Sequence, residues 1–152
     1  MHLSDVLVVQ CIRVGLEAPD KEAVLRTLAQ LLVAHRSETS EELLLEAFQE
    51  RERVATTGIG DGIAIPHAWL DVHAPCAAMA ISPAGLPFDT LDGLPVHIAI
   101  AIVGPRANAA EHVKLLVRTS RVLSDQAFCA RLRASETEAD ALEIWTHEER
   151  RH

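Results

Sequence analysis

Aromatic side chains are scarce in this chain. Two tryptophans and three phenylalanines, with no tyrosine, make up 3% of the 152 residues, too few for the stacking platforms on which single-stranded nucleic acids are held. Positive charge is also in short supply. Fourteen Lys and Arg against 22 Asp and Glu leave a formal net charge of −8, which repels phosphate backbones and anionic lipid heads. The small clusters Arg51/Arg53 and Arg131/Arg133 carry no interleaved aromatics, so no nucleic-acid partner is expected. No stretch reaches the ~18 consecutive apolar residues of a membrane span. The opening MHLSDVLVVQCIRV has neither a basic leader nor a long apolar core, so a cytoplasmic location without membrane insertion is expected. Cysteines number three, Cys11, Cys76 and Cys129, with no CxxC pair. They read as small buried hydrophobes in a reducing compartment.

What is present is a chain rich enough in hydrophobic residues, at 49%, to form one domain over residues 1–152. Ser4–Leu7 suggests a short helical turn and Cys11–Leu16 a first strand. Pro19-Asp20 opens a helix with Val24, Leu25, Leu28, Leu31 and Leu32 on one face, continued or capped by His35. Thr39 and Glu42 have capping-box spacing for a second helix with Leu43, Leu44, Ala47 and Phe48 inward. That helix leads Arg51 and Glu52 toward a glycine-rich loop. Strands are expected at about Gly62–Pro66, Cys76–Ile81 and Val96–Val103, the last apolar on both faces, with a turn at Leu91–Leu94. Asn108 and Glu111 are spaced to open a helix through Leu123, and Ser124 and Ser135 to cap two more. The expected fold is α/β: a short mixed β-sheet flanked by helices on both sides, in three layers.

One stretch carries the chemistry. TTGIGDGIAIPH, residues 56–67, places Thr57, Gly58, Gly60 and Gly62 before a short strand that runs into Pro66 and His67. Glycines free to take positive φ let backbone amides approach an anion, and Pro66 fixes the chain direction into His67. A neutral imidazole is a good nucleophile near pH 7. The bland alternatives are a tight connection and a strand-end histidine bonded to a backbone carbonyl. The loop is not a P-loop, since no GK[ST] follows. His112, in the first turn of a helix, is placed either to donate a hydrogen bond to phosphate or to sit on the surface beside Glu111. Arg51 suits a bidentate phosphate contact or an exposed charged face. Trp69 is either a docking anchor or core. His67, His73 and His112 match no standard zinc spacing, so no metal is expected.

The motif REx₃TTGIGDGIAIPH, followed by LPFDTLDGLPVHIAIAIVGP and EHVKLLVRTSRVL, resembles the enzyme IIA domain of the fructose–mannitol–nitrogen class (type 2) of the bacterial phosphotransferase system. The resemblance spans nearly the whole chain and is nearest the nitrogen-regulatory branch. It implies a transient phosphohistidine at His67, received from the phosphohistidine of HPr or an HPr-like carrier. It further implies that His112 binds phosphate and orients the reacting imidazole, and that Arg51 stabilises charge. No cofactor is implied. Ala68-Trp69 stands where many nitrogen-branch relatives carry Gly-Lys, which alters the docking face. The function expected is phosphocarrier and phosphorylation-dependent regulator. The alternatives are a sugar-uptake IIA passing phosphate to an enzyme IIB cysteine, a binding module that never carries phosphate and, weakest, a metallohydrolase.

Overall fold

The computed structural model describes residues 1–35 and 38–152. Among them lie six strands, β1 (Ile12–Val14), β2 (Gly58–Gly60), β3 (Ile63–Ala64), β4 (His67–Leu70), β5 (Cys76–Leu86) and β6 (Val96–Pro105). The α-helices are α1 (Lys21–His35), α2 (Glu41–Val54), α3 (Ala109–Val122), α4 (Gln126–Arg133) and α5 (Glu138–Glu149), with short 3₁₀ turns at Leu3–Asp5, Val9–Cys11 and Arg106–Asn108. No helix among the described residues is long and apolar enough to cross a membrane.

The sheet is mixed, in the order β1-β5-β6-β3-β2, with β4 also paired to β6. The antiparallel pair β5–β6 is its centre, and β1, β3 and β4 join in parallel. Every residue of β6 from Ile98 to Val103 is buried, as a strand covered on both faces requires. The helices α1 and α2 pack on each other and reach β5 and β4, while α3, α4 and α5 cover β6, β5 and β1. This is the expected α/β arrangement of a mixed sheet flanked by helices.

Two local features position the site. Asp61 and Gly62 both have positive φ, 57° and 79°, the signature of a two-residue type I′ turn, so β2 and β3 form a hairpin where a loose loop was expected. The strand expected to end at Pro66 instead continues. Ile63 and Ala64 pair with Ile98 and Ala99, and His67 to Leu70 pair with Ile102 to Pro105 in the same register. Pro66 has no N–H and breaks the ladder only locally, with the Ile65 N–H turned to the Thr57 carbonyl at 3.0 Å. His67 therefore starts a strand segment rather than ending one.

Helix caps fall one or two residues from their expected places. Ser40, not Thr39, caps α2, its Oγ accepting the Leu43 N–H at 3.2 Å. The helix is rotated accordingly, with Leu44, Leu45 and Phe48 buried and Leu43 56% exposed. Asp125 and Thr137 cap α4 and α5. Ser124 and Ser135 instead donate to the carbonyls of Arg121 and Leu132, closing the helices before them. The Asn108 position is right, but its side chain makes no capping bond. His35 ends α1 on the exposed side.

Candidate functional site

The His67 ring is held at both nitrogens. Its Nδ1 lies 2.8 Å from the Ile65 carbonyl oxygen, which can only accept, so Nδ1 carries the proton. The Arg51 Nε lies 3.2 Å from Nε2, and a guanidinium can only donate, so Nε2 presents its lone pair. Two independent partners thus specify one neutral tautomer. Arg51 is itself anchored through Nη1 to the Ala55 carbonyl at 2.8 Å. Burial lowers the His67 pKa below its ordinary value, the bond to Ile65 works against that, Arg51 adds to the lowering, and Glu52 opposes it. The imidazole is kept neutral and nucleophilic.

His112 approaches from the first turn of α3. Its ring centroid is 5.9 Å from that of His67 and 5.7 Å from that of Trp69, which meets it edge-on. It is 2% exposed, and neither ring nitrogen has a partner among the described residues. An orphaned buried polar group costs roughly 1–3 kcal/mol, so the site carries unfilled hydrogen-bonding capacity beside the nucleophile. Burial, and then repulsion from His67 when that ring is protonated, push the His112 pKa down to about 4. The ring comes this close because residue 104 is glycine: a Cβ there would stand 2.3 Å from His112 Nδ1. Sequence reading missed Gly104, although a glycine inside an apolar strand signals close approach of another group. The unfilled cap at Asn108 leaves the first amides of α3 without a side-chain acceptor, favourable for an anion.

Arg51, His67, His112 and Trp69 are therefore brought together, with Trp69 46% exposed at the rim. The glycines have a different local task. Gly58 lies so close to the Asp89 carbonyl that a Cβ would be 2.5 Å from it, Gly60 lies against Asp92 and Gly62 against His97. His67 lies five residues beyond Gly62 along extended chain, roughly 16 Å at ~3.3 Å per residue, beyond the reach of a group on that imidazole. The Thr57 N–H donates to Glu52 Oε1 at 3.1 Å, and the Thr57 hydroxyl is buried without a partner among the described residues. His73 faces Glu38, and His97 meets the Ser82 carbonyl. No group of three or more His, Cys, Asp or Glu that could hold a metal ion occurs among the described residues.

A lone pair fixed in place, a guanidinium on it and an unpartnered neutral imidazole alongside can receive a tetrahedral anion at Nε2 and spread its charge. Residues 5–148 match the family model described as the phosphoenolpyruvate-dependent sugar phosphotransferase system, EIIA 2. The "Nitrogen regulatory protein" of Klebsiella oxytoca is 32% identical over 148 residues, covering 96% of this chain and 91% of that one. The "PTS system fructose-specific EIIA component" of Haloferax volcanii is 38% identical over 113 residues, covering 72% and 73%. Among solved structures, nitrogen regulatory protein IIA-Ntr from Neisseria meningitidis shares the fold with a TM-score of 0.87 at 24% identity, over 93% of this chain and 97% of that one.

Proposed function

The chain belongs to the EIIA type 2 family of the phosphoenolpyruvate-dependent sugar phosphotransferase system, and from that membership we propose that it is a phosphocarrier that receives a phosphoryl group on His67 Nε2. The observation that carries this reading is the pair of bonds fixing the tautomer, Nδ1–H to Ile65 and Arg51 to Nε2. The donor is the phosphohistidine of an HPr-like carrier. As the His67 lone pair forms the new N–P bond, the donor's P–N bond breaks and its electron pair returns to the donor imidazole. Positive charge builds on the His67 ring and is supported through Nδ1–H by the Ile65 carbonyl. Arg51 must leave the lone pair as it is consumed, and moves to the phosphoryl oxygens. A ring N–H of His112, without a partner among the described residues and beside the His67 ring, is available to the same oxygens. Transfer of this kind needs positioning and charge stabilisation rather than a further nucleophile.

The reader of the phosphorylated state is a regulatory target, by analogy with the nitrogen regulatory relative that covers most of both chains. A second reading, onward transfer to the cysteine of an enzyme IIB in sugar uptake, draws on the fructose-specific relative. Trp69, exposed beside the nucleophile, is the proposed docking anchor in either case.

Intact-mass spectrometry at neutral to alkaline pH tests the reading, after incubation with phosphoenolpyruvate, enzyme I and HPr. One added phosphoryl group is expected, lost on acidification and absent from His67→Ala. No gain with an authentic HPr-like donor would favour the phosphate-free binding module. Onward transfer to an enzyme IIB cysteine would overturn the regulatory preference.

A further inference from the structure

Glu52, directly after Arg51 in α2, is bound into the site more deeply than an exposed helix residue would be. Its side chain is 7% exposed. Oε1 accepts the Thr57 N–H at 3.1 Å and meets the Lys21 ammonium at 2.7 Å, while Oε2 is buried with no partner among the described residues. Lys21 does not neutralise it alone, because the same ammonium also pairs with Asp89 and lies 4.6 Å from the centroid of the Phe88 ring. Burial works against the charge on Lys21, but the two carboxylates outweigh it and raise its pKa. The trio of Lys21, Glu52 and Asp89 therefore keeps a net charge of about −1.

From this carboxylate a chain of hydrogen bonds runs to the nucleophile. Thr57 donates its N–H to Glu52 at 3.1 Å and accepts the Ile65 N–H at 3.0 Å, and the Ile65 carbonyl accepts His67 Nδ1–H at 2.8 Å. The bland reading is a strut tying α2 to the hairpin, which an uncharged glutamine would serve as well. A buried carboxylate is a costly way to hold one amide and one ammonium already shared with Asp89, and its second oxygen has no partner among the described residues. The reaction needs a charge of that sign. The His67 ring becomes positive as Nε2 attacks, while burial and Arg51 both oppose a positive ring.

Resting on the phosphocarrier reading of His67, we propose that Glu52 is a positioning residue for phosphorylation. Its carboxylate is the counter-charge to the His67 ring as positive charge builds on it, and its bond to Thr57 holds the carbonyl that fixes the ring's tautomer. Glu52 touches no reacting atom. It acts through Thr57 and Ile65, and through the field it sets at the ring against Arg51 on its own helix and His112 on α3.

The test pairs Glu52→Gln with Lys21→Gln in the full chain. NMR titration of the His67 ring and the rate of phosphorylation by phospho-HPr are the two measurements. Glu52→Gln keeps an acceptor for Thr57 and loses the charge. It is expected to lower the His67 pKa further, since the Glu52 charge opposes the lowering, and to slow phosphorylation about tenfold without loss of the native fold. Lys21→Gln unmasks the carboxylate and is expected to move the titration the other way, a sign reversal that a strut does not produce. Wild-type titration and rate in both variants would overturn the proposal. If Glu52→Gln does not fold, Lys21→Gln decides by the sign of its shift. If the wild-type chain takes up no phosphoryl group, the phosphocarrier reading has failed and Glu52 has no phosphorylation to assist. The titration alone then decides whether it is a counter-charge to the ring.

Discussion

A histidine with both ring nitrogens buried, and without partners among the described residues, makes folding sensitive to pH. His112 is held at about pKa 4 against an ordinary 6.5. Between those values the unfolded chain binds the proton and the folded chain does not. Stability is thus fully present above about pH 6.5 and falls as pH drops toward 4, with a ceiling of about 3 kcal/mol. His67, also lowered, contributes with the same sign. Urea unfolding of the wild type and His112→Gln at pH 7, 5.5 and 4.5 checks this. The variant is expected to lose less stability over that range; parallel curves would mean that His112 is not buried neutral. At this scale the sequence was informative wherever residue type itself states the chemistry. His67, His112 and Arg51 could be named because imidazole and guanidinium do recognisable things at a helix end or after a proline. Glu52 was placed beside the loop but given no role, because its meaning lies in a relay of three hydrogen bonds, Glu52 to Thr57, Thr57 to Ile65 and Ile65 to His67. Chain order alone shows only another charge in an acidic run.

At the scale of elements, the hydrophobic periods located the helices and the core strands, while polar residues at the junctions misled. A serine between two helices can cap the next or close the last, and Ser124 and Ser135 close the last. The choice depends on how the chain turns. The hairpin was legible in principle, since Asp-Gly between apolar alternations is the strongest short-range hairpin signal, but the glycines were read first as a ligand loop. Their geometry yields a discriminating prediction. Gly62→Ala puts a Cβ at φ 79°, 3.2 Å from the His97 ring, and is expected to destabilise the domain by about 1–2 kcal/mol. Because the turn stands far along the strand from His67, the phosphorylation rate of the folded variant should stay within about twofold of wild type, equivalent to ~0.4 kcal/mol. Thermal unfolding and a phosphorylation time course separate the two effects. A large loss of rate with little loss of stability would return Gly62 to the phosphate-binding role expected from sequence.

Across the whole molecule, the exposed apolar surface near the site is not scattered. Trp69 is 46% exposed and leans on His112, while Val113 and Val117, each 49% exposed, stand one turn apart on the same helix. Large aromatics at the rim of a functional site are frequent anchors of a protein contact. On the phosphocarrier reading, transfer from a donor imidazole to the part-buried His67 proceeds where the two carriers exclude water, which requires a partner surface fitted to this rim. Trp69→Ala is therefore expected to raise the concentration of phospho-HPr needed for half-maximal phosphorylation rate by about tenfold or more, the ~1.4 kcal/mol or more of a binding anchor. The Tm should change little, because half of the indole is already in water. The opposite result, a large fall in Tm with an unchanged concentration dependence, would make Trp69 a packing residue for His112. Docking would then fall to the valines of α3, and Val113→Asp would be the variant in which the loss of affinity appears.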